Sequence, residues 1–341
     1  MLTDPKGKGE TAEFDDSKYT NAKIMLIFTC RRWNGRQLAI LVVAASIGLV
    51  AWSGWKRHNE QMNRMKRLKD FDPTLVRFVE APKLPGVGAT QSPWQDAVSD
   101  PRPVVLATTN KAFLDFTENW LESIKRVGTK PRILVVAEDE ETQRFLYGRP
   151  DVHVVISEGF KIPAHKLEWD SPIYNAMVNK RPAYIYQLLE KGHHVLFSDV
   201  DTVWLKEPFQ FLDGEFDIAV EEDQHKPYIA YCAGFVYFRC TEKTKEFVKE
   251  WLRRLHESQT SISDQVIMNK MLIEEKLPGL RKKVMSSQIF PNGKLYFANS
   301  QFYENHHEKA AVVHNNWVQS KEVKLQRFKA NNLWFVEDRE G

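Results

Sequence analysis

The sequence predicts an α/β protein with a mostly parallel central sheet, preceded by one membrane-spanning helix. Three observations lead there. Short Val-, Ile- and Leu-rich runs alternate with helical periodicity from residue 103 onward. Residues 38–55, LAILVVAASIGLVAWSGW, contain no charged residue. The chain has 341 residues and 43% hydrophobic content, enough to bury a full core.

The elements follow in chain order. Residues 1–37 form a tail. An 18-residue run (38–55) rising ~1.5 Å per residue crosses most of a ~30 Å hydrocarbon core, and a run without a polar face is not an amphipathic surface helix. Trp52 and Trp55 suit an interface. More basic residues follow the run than precede it, so the positive-inside count alone puts the C-terminal side in the cytosol. Residues 56–102, with APKLPGVGATQSPW and DPRP, read as a stem. The folded body, 103–335, opens with a strand at PVVLATTN (103–110). An amphipathic helix follows with Phe113, Phe116, Trp120, Ile124 and Val127 on one face, then strands at RILVVAE and VHVVIS. A helix at RPAYIYQLLEKG leads into the strand HHVLFSDVD. Strands alternating with helices at this spacing form a largely parallel sheet covered on both faces.

Charge narrows the function classes. Residues 1–70 carry 13 Lys or Arg against 7 Asp or Glu, so with a net charge of +3 the remainder is mildly acidic. A nucleic-acid binder needs a basic face on the folded body. Cys232 and Cys240 lie about 27 Å apart on a continuous strand, beyond disulfide reach.

In open α/β sheets, ligands gather beyond the carboxyl ends of the strands, where Asp199 and Asp201 stand. Two carboxylates that close repel each other unless a cation or donor network lies between them. TTNKAF after the first strand has neither a dinucleotide fingerprint nor a phosphate-loop Gly-Lys-Ser/Thr. A haloacid-dehalogenase-like phosphotransferase also ends a strand in Asp-x-Asp, but there the pair normally opens the domain and a later Gly-Asp or Asp-Asp adds carboxylates. This chain has no Gly-Asp, and its single Asp-Asp lies in the tail. A nucleotide-sugar site remains, in which a divalent ion between Asp199 and Asp201 offsets the diphosphate charge. Oxygen ligands suit Mn²⁺ or Mg²⁺. His314, ending the apolar run AAVV, stands ready at a sheet edge as a further ligand. Lys321 and Lys324 follow as point charges for phosphate.

The segments SDVDTVWLKEPF, CAGFVYFR, DQVIMNKML, FPNGKLYF and VHNNWV, in that order, resemble the nucleotide-diphospho-sugar transferases of glycosyltransferase family 77, over roughly residues 103–335. The resemblance implies a GT-A fold, Rossmann-like and metal-dependent, with retaining transfer from a UDP-sugar, xylose favoured, to a glycan or glycoprotein. It also implies a type II Golgi membrane anchor with the catalytic domain luminal, which overrules the charge count. Carried over by residue, it gives Asp199, Asp201 and His314 as metal ligands, with Asp199 also contacting the nucleotide. Thr108, Thr109 and Asn110 line the uridine pocket, with Asp139 near it, and Lys180 and Arg181 offset phosphate charge. Ala233 and Gly234 let backbone approach the sugar. Asp264 and Gln265 face the donor sugar or acceptor. Ser320 stands where such sites place a Gly, which leaves Lys321 and Lys324 as alternative diphosphate ligands. A double displacement needs a carboxylate from Asp264, Glu221, Glu222 or Asp223; front-face attack needs none. The competing class is a catalytically silent anchored protein that binds glycans or scaffolds a partner.

Overall fold

The parallel strands expected from the Val-rich runs form the centre of an eight-stranded mixed sheet. In the computed structural model, residues 71–82, 100–158, 162–225, 227–258, 262–274 and 277–337 are described. The expected tail and anchor (1–37 and 38–55) lie outside them. No helix among the described residues is long and apolar enough to cross a membrane.

The strands are β1 (Arg77–Glu80), β2 (Val104–Thr109), β3 (Arg132–Ala137), β4 (His153–Glu158), β5 (Val195–Ser198), β6 (Thr202–Trp204), β7 (Ile218–Gln224), β8 (Ala230–Phe238), β9 (Lys282–Val284) and β10 (Val312–His314). The sheet order is β1-β4-β3-β2-β5-β8-β7-β9. Strands β4, β3, β2 and β5 run parallel; β8 enters antiparallel to β5. β1 lies within the stretch expected as a stem and pairs antiparallel with β4 along the edge. β6 and β10 form a separate two-stranded sheet.

The strand sequences are apolar at nearly every position because both faces are covered. Val104 and Leu106 of β2 join one core cluster, and Val105 and Ala107 join the other. β3 divides in the same way, with Leu134 and Val136 against Ile133, Val135 and Ala137. Successive side chains alternate in direction, so one unbroken apolar run supplies both cores. The first face takes helices α4 (Arg181–Glu190), α5 (Glu242–Ser258) and α6 (Asp264–Ile273); the second takes α1 (Leu114–Val127) and α9 (Lys321–Ala330). The helix between β3 and β4 is α2 (Glu140–Leu146), α3 (Pro172–Val178) precedes α4, and α7 (Gly293–Ala298) and α8 (Ser300–His306) precede β10.

Helix α1 buries Phe116, Trp120 and Ile124, as its spacing predicts, and ends at Gly128, whose φ of +79° is the left-handed cap conformation. Trp120 and Trp204 in one cluster and Trp251 in the other are fully buried. Truncating such a ring to alanine costs about 3–5 kcal/mol. Cys232 and Cys240 are free thiols.

Candidate functional site

The Asp-x-Asp segment is held by the backbone on both sides. The Asp199 amide donates to the Gly234 carbonyl at 2.7 Å, tying the end of β5 to β8. The Thr202 amide and hydroxyl both donate to the Asp199 carbonyl, so residues 199–202 close into a tight turn before β6. Antiparallel pairing then sets His314 opposite Thr202. His314 belongs to this small sheet and not to an edge of the large one, so its position follows from the β6–β10 register. The Asn315 amide completes the clamp by donating to the Asp201 carbonyl at 3.0 Å.

This register brings three ligand types together. His314 Nε2 lies 3.4 Å from Asp201 and 3.9 Å from Asp199. One ligand atom from each of the three residues falls within 4.8 Å of the others. On the far side of the ring, His314 Nδ1 donates to Glu221 Oε2 at 2.7 Å. That bond fixes the ring orientation and points Nε2 at both aspartates, the usual second partner of a metal-ligating histidine. Two carboxylates and an imidazole fit a hard divalent cation such as Mn²⁺ or Mg²⁺. The floor also fits, because a Cβ on residue 234 would stand 2.2 Å from Asp199 Oδ2 and 2.7 Å from His314 Cε1. Gly234 therefore makes room for the site's own side chains.

Electrostatics separates the two aspartates. Burial raises the Asp199 carboxyl and Asp201 raises it further, against the Arg181 charge. Burial also acts to raise Asp201, but Lys324 and His314 outweigh it and the pKa falls. Lys324 Nζ sits 2.5 Å from Asp201 Oδ2. For His314, burial disfavours the charged ring, yet Glu221 and Asp201 lift its pKa well above the ordinary value. Burial likewise opposes the charge on Arg181, and the carboxylates of Asp264 (3.1 Å) and Asp199 (3.3 Å) prevail over it. Burial pushes Asp264 up to about 6.

A cleft of about 520 Å³ opens over this cluster, lined among others by Thr108, Thr109, Asn110, Arg181, Asp199, Asp201 and Lys324. A smaller pocket of about 80 Å³ adjoins it, with Gly234, Asp264 and Gln265 in its wall and Arg181 and Asp199 shared by both. Asn110 is anchored there by donating to the carbonyls of Pro163 and His165.

Five expected site residues do not line either pocket: His314, buried against the two aspartates, and four whose side chains turn elsewhere. Asp139 caps α2, accepting from the Thr142 and Lys111 amides at 2.9 and 2.7 Å. Lys180 is fully buried, with Nζ 2.6 Å from Glu138 and 3.1 Å from Ser157, so it has no path to a phosphate. Ala233 turns into the hydrophobic core, as alternation on β8 requires next to Gly234. Lys321 pairs with Asp115 at 2.8 Å, so of the two expected lysines Lys324 is the one that lines the cleft, where Lys166 joins it. Ser320 serves as the N-cap of α9, accepting from the Val323 amide. Among the lining residues that carried no sequence signal, Trp169, Tyr174 and Val178 line both pockets. Glu221 was a nucleophile candidate; its buried bond to His314 gives it a supporting position instead. A carboxylate in the middle of a largely buried strand was the available clue.

A family model described as nucleotide-diphospho-sugar transferase matches residues 128–328. The chain is 29% identical over 286 residues to UDP-D-xylose:L-fucose alpha-1,3-D-xylosyltransferase MGP4 of Arabidopsis thaliana, covering 73% of this chain and 77% of that protein. It is 26% identical over 196 residues to a UDP-galactose:fucoside alpha-3-galactosyltransferase of Dictyostelium discoideum, covering 49% of this chain and 29% of that protein. Among solved structures, the apo-form glycosyltransferase GlyE of Streptococcus pneumoniae TIGR4 aligns with a TM-score of 0.44 at 15% identity, over 66% of this chain and 60% of that one.

Proposed function

The chain belongs to the nucleotide-diphospho-sugar transferase family, and from that premise we propose that it transfers xylose from UDP-xylose to a fucose-bearing glycan or glycoprotein acceptor, with retention. The observation that carries the reading is the convergence of Asp199, Asp201 and His314 within 4.8 Å beside a cleft that the two aspartates line and that is large enough for a nucleotide sugar. The xylose and fucose assignments draw on the names of the similar enzymes.

Asp199, Asp201 and His314 would hold the cation. A bound Mn²⁺ or Mg²⁺ supplies Lewis-acid neutralisation of the charge that grows on the diphosphate as the glycosidic bond breaks. Thr108, Thr109 and Asn110 line the nucleoside end of the cleft. Lys324 reaches the diphosphate from α9 and Arg181 from α4, both already directed into the cleft; preorganised charge of this kind stabilises a leaving anion without reorganisation at the moment of reaction. Asp264 and Gln265 take the donor sugar in the adjoining pocket. Of the four carboxylates available for a two-step displacement, Glu221 is engaged by His314, Glu222 by His225 at 2.7 Å, and Asp223 by Trp317 and Asn316. Asp264 alone of the four lines the pocket shared with Asp199.

The test is UDP release by the full chain from UDP-xylose with Mn²⁺, with and without methyl α-L-fucoside, against Asp201→Asn. Equal rates for the two proteins end the reading. A type II Golgi anchor at residues 38–55 with a luminal catalytic domain belongs to the same proposal; protease protection of the C-terminal body in sealed Golgi vesicles checks it, and digestion without detergent refutes it.

A further inference from the structure

Trp317 adopts φ +61°, a left-handed conformation that costs a bulky L-residue about 1–3 kcal/mol. Its neighbours hold it there. Asn315 is clamped to Asp201 and, through its side chain, to the Lys324 carbonyl at 2.8 Å. Asn316 accepts from the Gly293 amide at 2.8 Å and donates to Asp223 at 3.1 Å. Residue 293 cannot carry a side chain, because a Cβ would stand 2.2 Å from the Asn316 carbonyl oxygen. The strain is not offset by burial: the indole is 41% exposed and belongs to neither core cluster.

The ring is nevertheless fixed. Its Nε1–H donates to Asp223 Oδ1 at 2.7 Å, and Lys294 Nζ lies 5.1 Å from the ring centroid. With the one polar atom of the indole engaged, what remains exposed is an oriented apolar surface. The next residues along the chain, Val318 to Ser320, line the cleft, so Trp317 stands at its rim. Other exposed apolar side chains lie on or next to the elements that carry Asp223 and Gln265. Tyr228 and Ile229 sit at the β7–β8 turn, beside the Gln224–Ala230 pair, and Val266 follows Gln265.

Resting on the transferase reading above, we propose that Trp317, steered by Asp223, is the acceptor subsite, stacking its indole on the C–H face of the acceptor pyranoside. A rigid aromatic face with its polar edge tied down binds a sugar ring with little loss of side-chain freedom. Seated there, beside the cleft-lining residues Val318 to Ser320, the acceptor presents a hydroxyl toward the donor sugar.

Saturation-transfer NMR on the full chain, with methyl α-L-fucoside as probe, tests this independently of turnover. Wild type gives ring-proton transfer, Trp317→Ala weakens the apparent affinity at least tenfold, and Trp317→Phe, which keeps a ring but loses the Asp223 bond, falls clearly between the two. A thermal midpoint for each variant reports folding. No transfer to wild type overturns the subsite, as does unchanged affinity in the alanine variant. Equal losses in the alanine and phenylalanine variants assign Trp317 a structural part and overturn it too. Absence of UDP-xylose turnover in wild type sinks the transferase reading alone.

Discussion

Replacing Gly234 with alanine introduces one methyl group at the floor of the cluster, where the added Cβ would stand 2.2 Å from Asp199 Oδ2, 2.9 Å from Asp199 Cγ and 2.7 Å from His314 Cε1. The nearest contacts are side-chain ends and not backbone, so the fold accommodates the change by turning the carboxylate and tilting the ring. The required movement is on the order of 1 Å, and a misplacement of that size at a reacting centre costs about 100-fold, or about 2.7 kcal/mol of transition-state stabilisation. The tilt of His314 is opposed by its 2.7 Å bond to Glu221, so most of the displacement falls on Asp199. The assay is kcat/KM for UDP release from UDP-xylose in a Mn²⁺ titration, alongside a thermal melt. The expected result is a loss of roughly 30- to 300-fold, with weaker Mn²⁺ dependence and a melting midpoint close to wild type. A variant within threefold of wild type, with an unchanged Mn²⁺ titration, refutes the claim that this glycine exists to admit the site's ligands.

Lys180 and Glu138 form a fully buried ion pair 2.6 Å apart, with Tyr184 also bound to Glu138 at 3.0 Å; removing one charge leaves the other uncompensated, so Lys180→Met or Glu138→Gln lowers unfolding free energy by about 3–5 kcal/mol. The double variant recovers much of this loss, as read by urea denaturation. Strictly additive losses would contradict the pairing. Lys324→Ala weakens UDP binding about tenfold by calorimetry in Mn²⁺, roughly 1.4 kcal/mol, whereas Lys321→Ala leaves it unchanged, since that ammonium is spent on Asp115; equal effects would reject the assignment of the cleft lysine. Hydrogen bonding from Arg102 lowers the Asp100 pKa from 3.8 to about 2, so this group's contribution to stability is complete above pH ~4 and lost as pH falls through about 2. Asp100→Asn flattens the acid limb of the stability curve in that window, and an unaltered limb in equilibrium unfolding would exclude Asp100 as a source.

The central parallel strands and the first helix were legible because burial on both faces forces continuous apolar runs, and a packed helix forces apolar residues at 3.6-residue spacing. β1 was not. Its four residues, Arg77–Glu80, are an edge strand with the burial pattern exposed, buried, half-buried, exposed, too short to show a period after a Pro-rich neighbourhood. Asp139 and Lys180 were misplaced for the opposite reason. Each stands at a strand end or helix start where a ligand contact and a local cap or ion pair have the same residue signature, and the sequence does not say which way the side chain turns.

Sequence alone determined the two carboxylates at the end of a buried strand, the imidazole at the end of another apolar run, and the order of the segments between them. Tertiary structure decided which groups share space. The β6–β10 register, and not any local pattern, puts His314 Nε2 within 3.4 Å of Asp201, because a single-residue slip in an antiparallel pair would turn the ring to the opposite face. The same three-dimensional closure turned Lys324 inward and Lys321 outward on one helix, buried Lys180 beneath Arg181, and brought Glu221, 93 residues away, against the back of the imidazole.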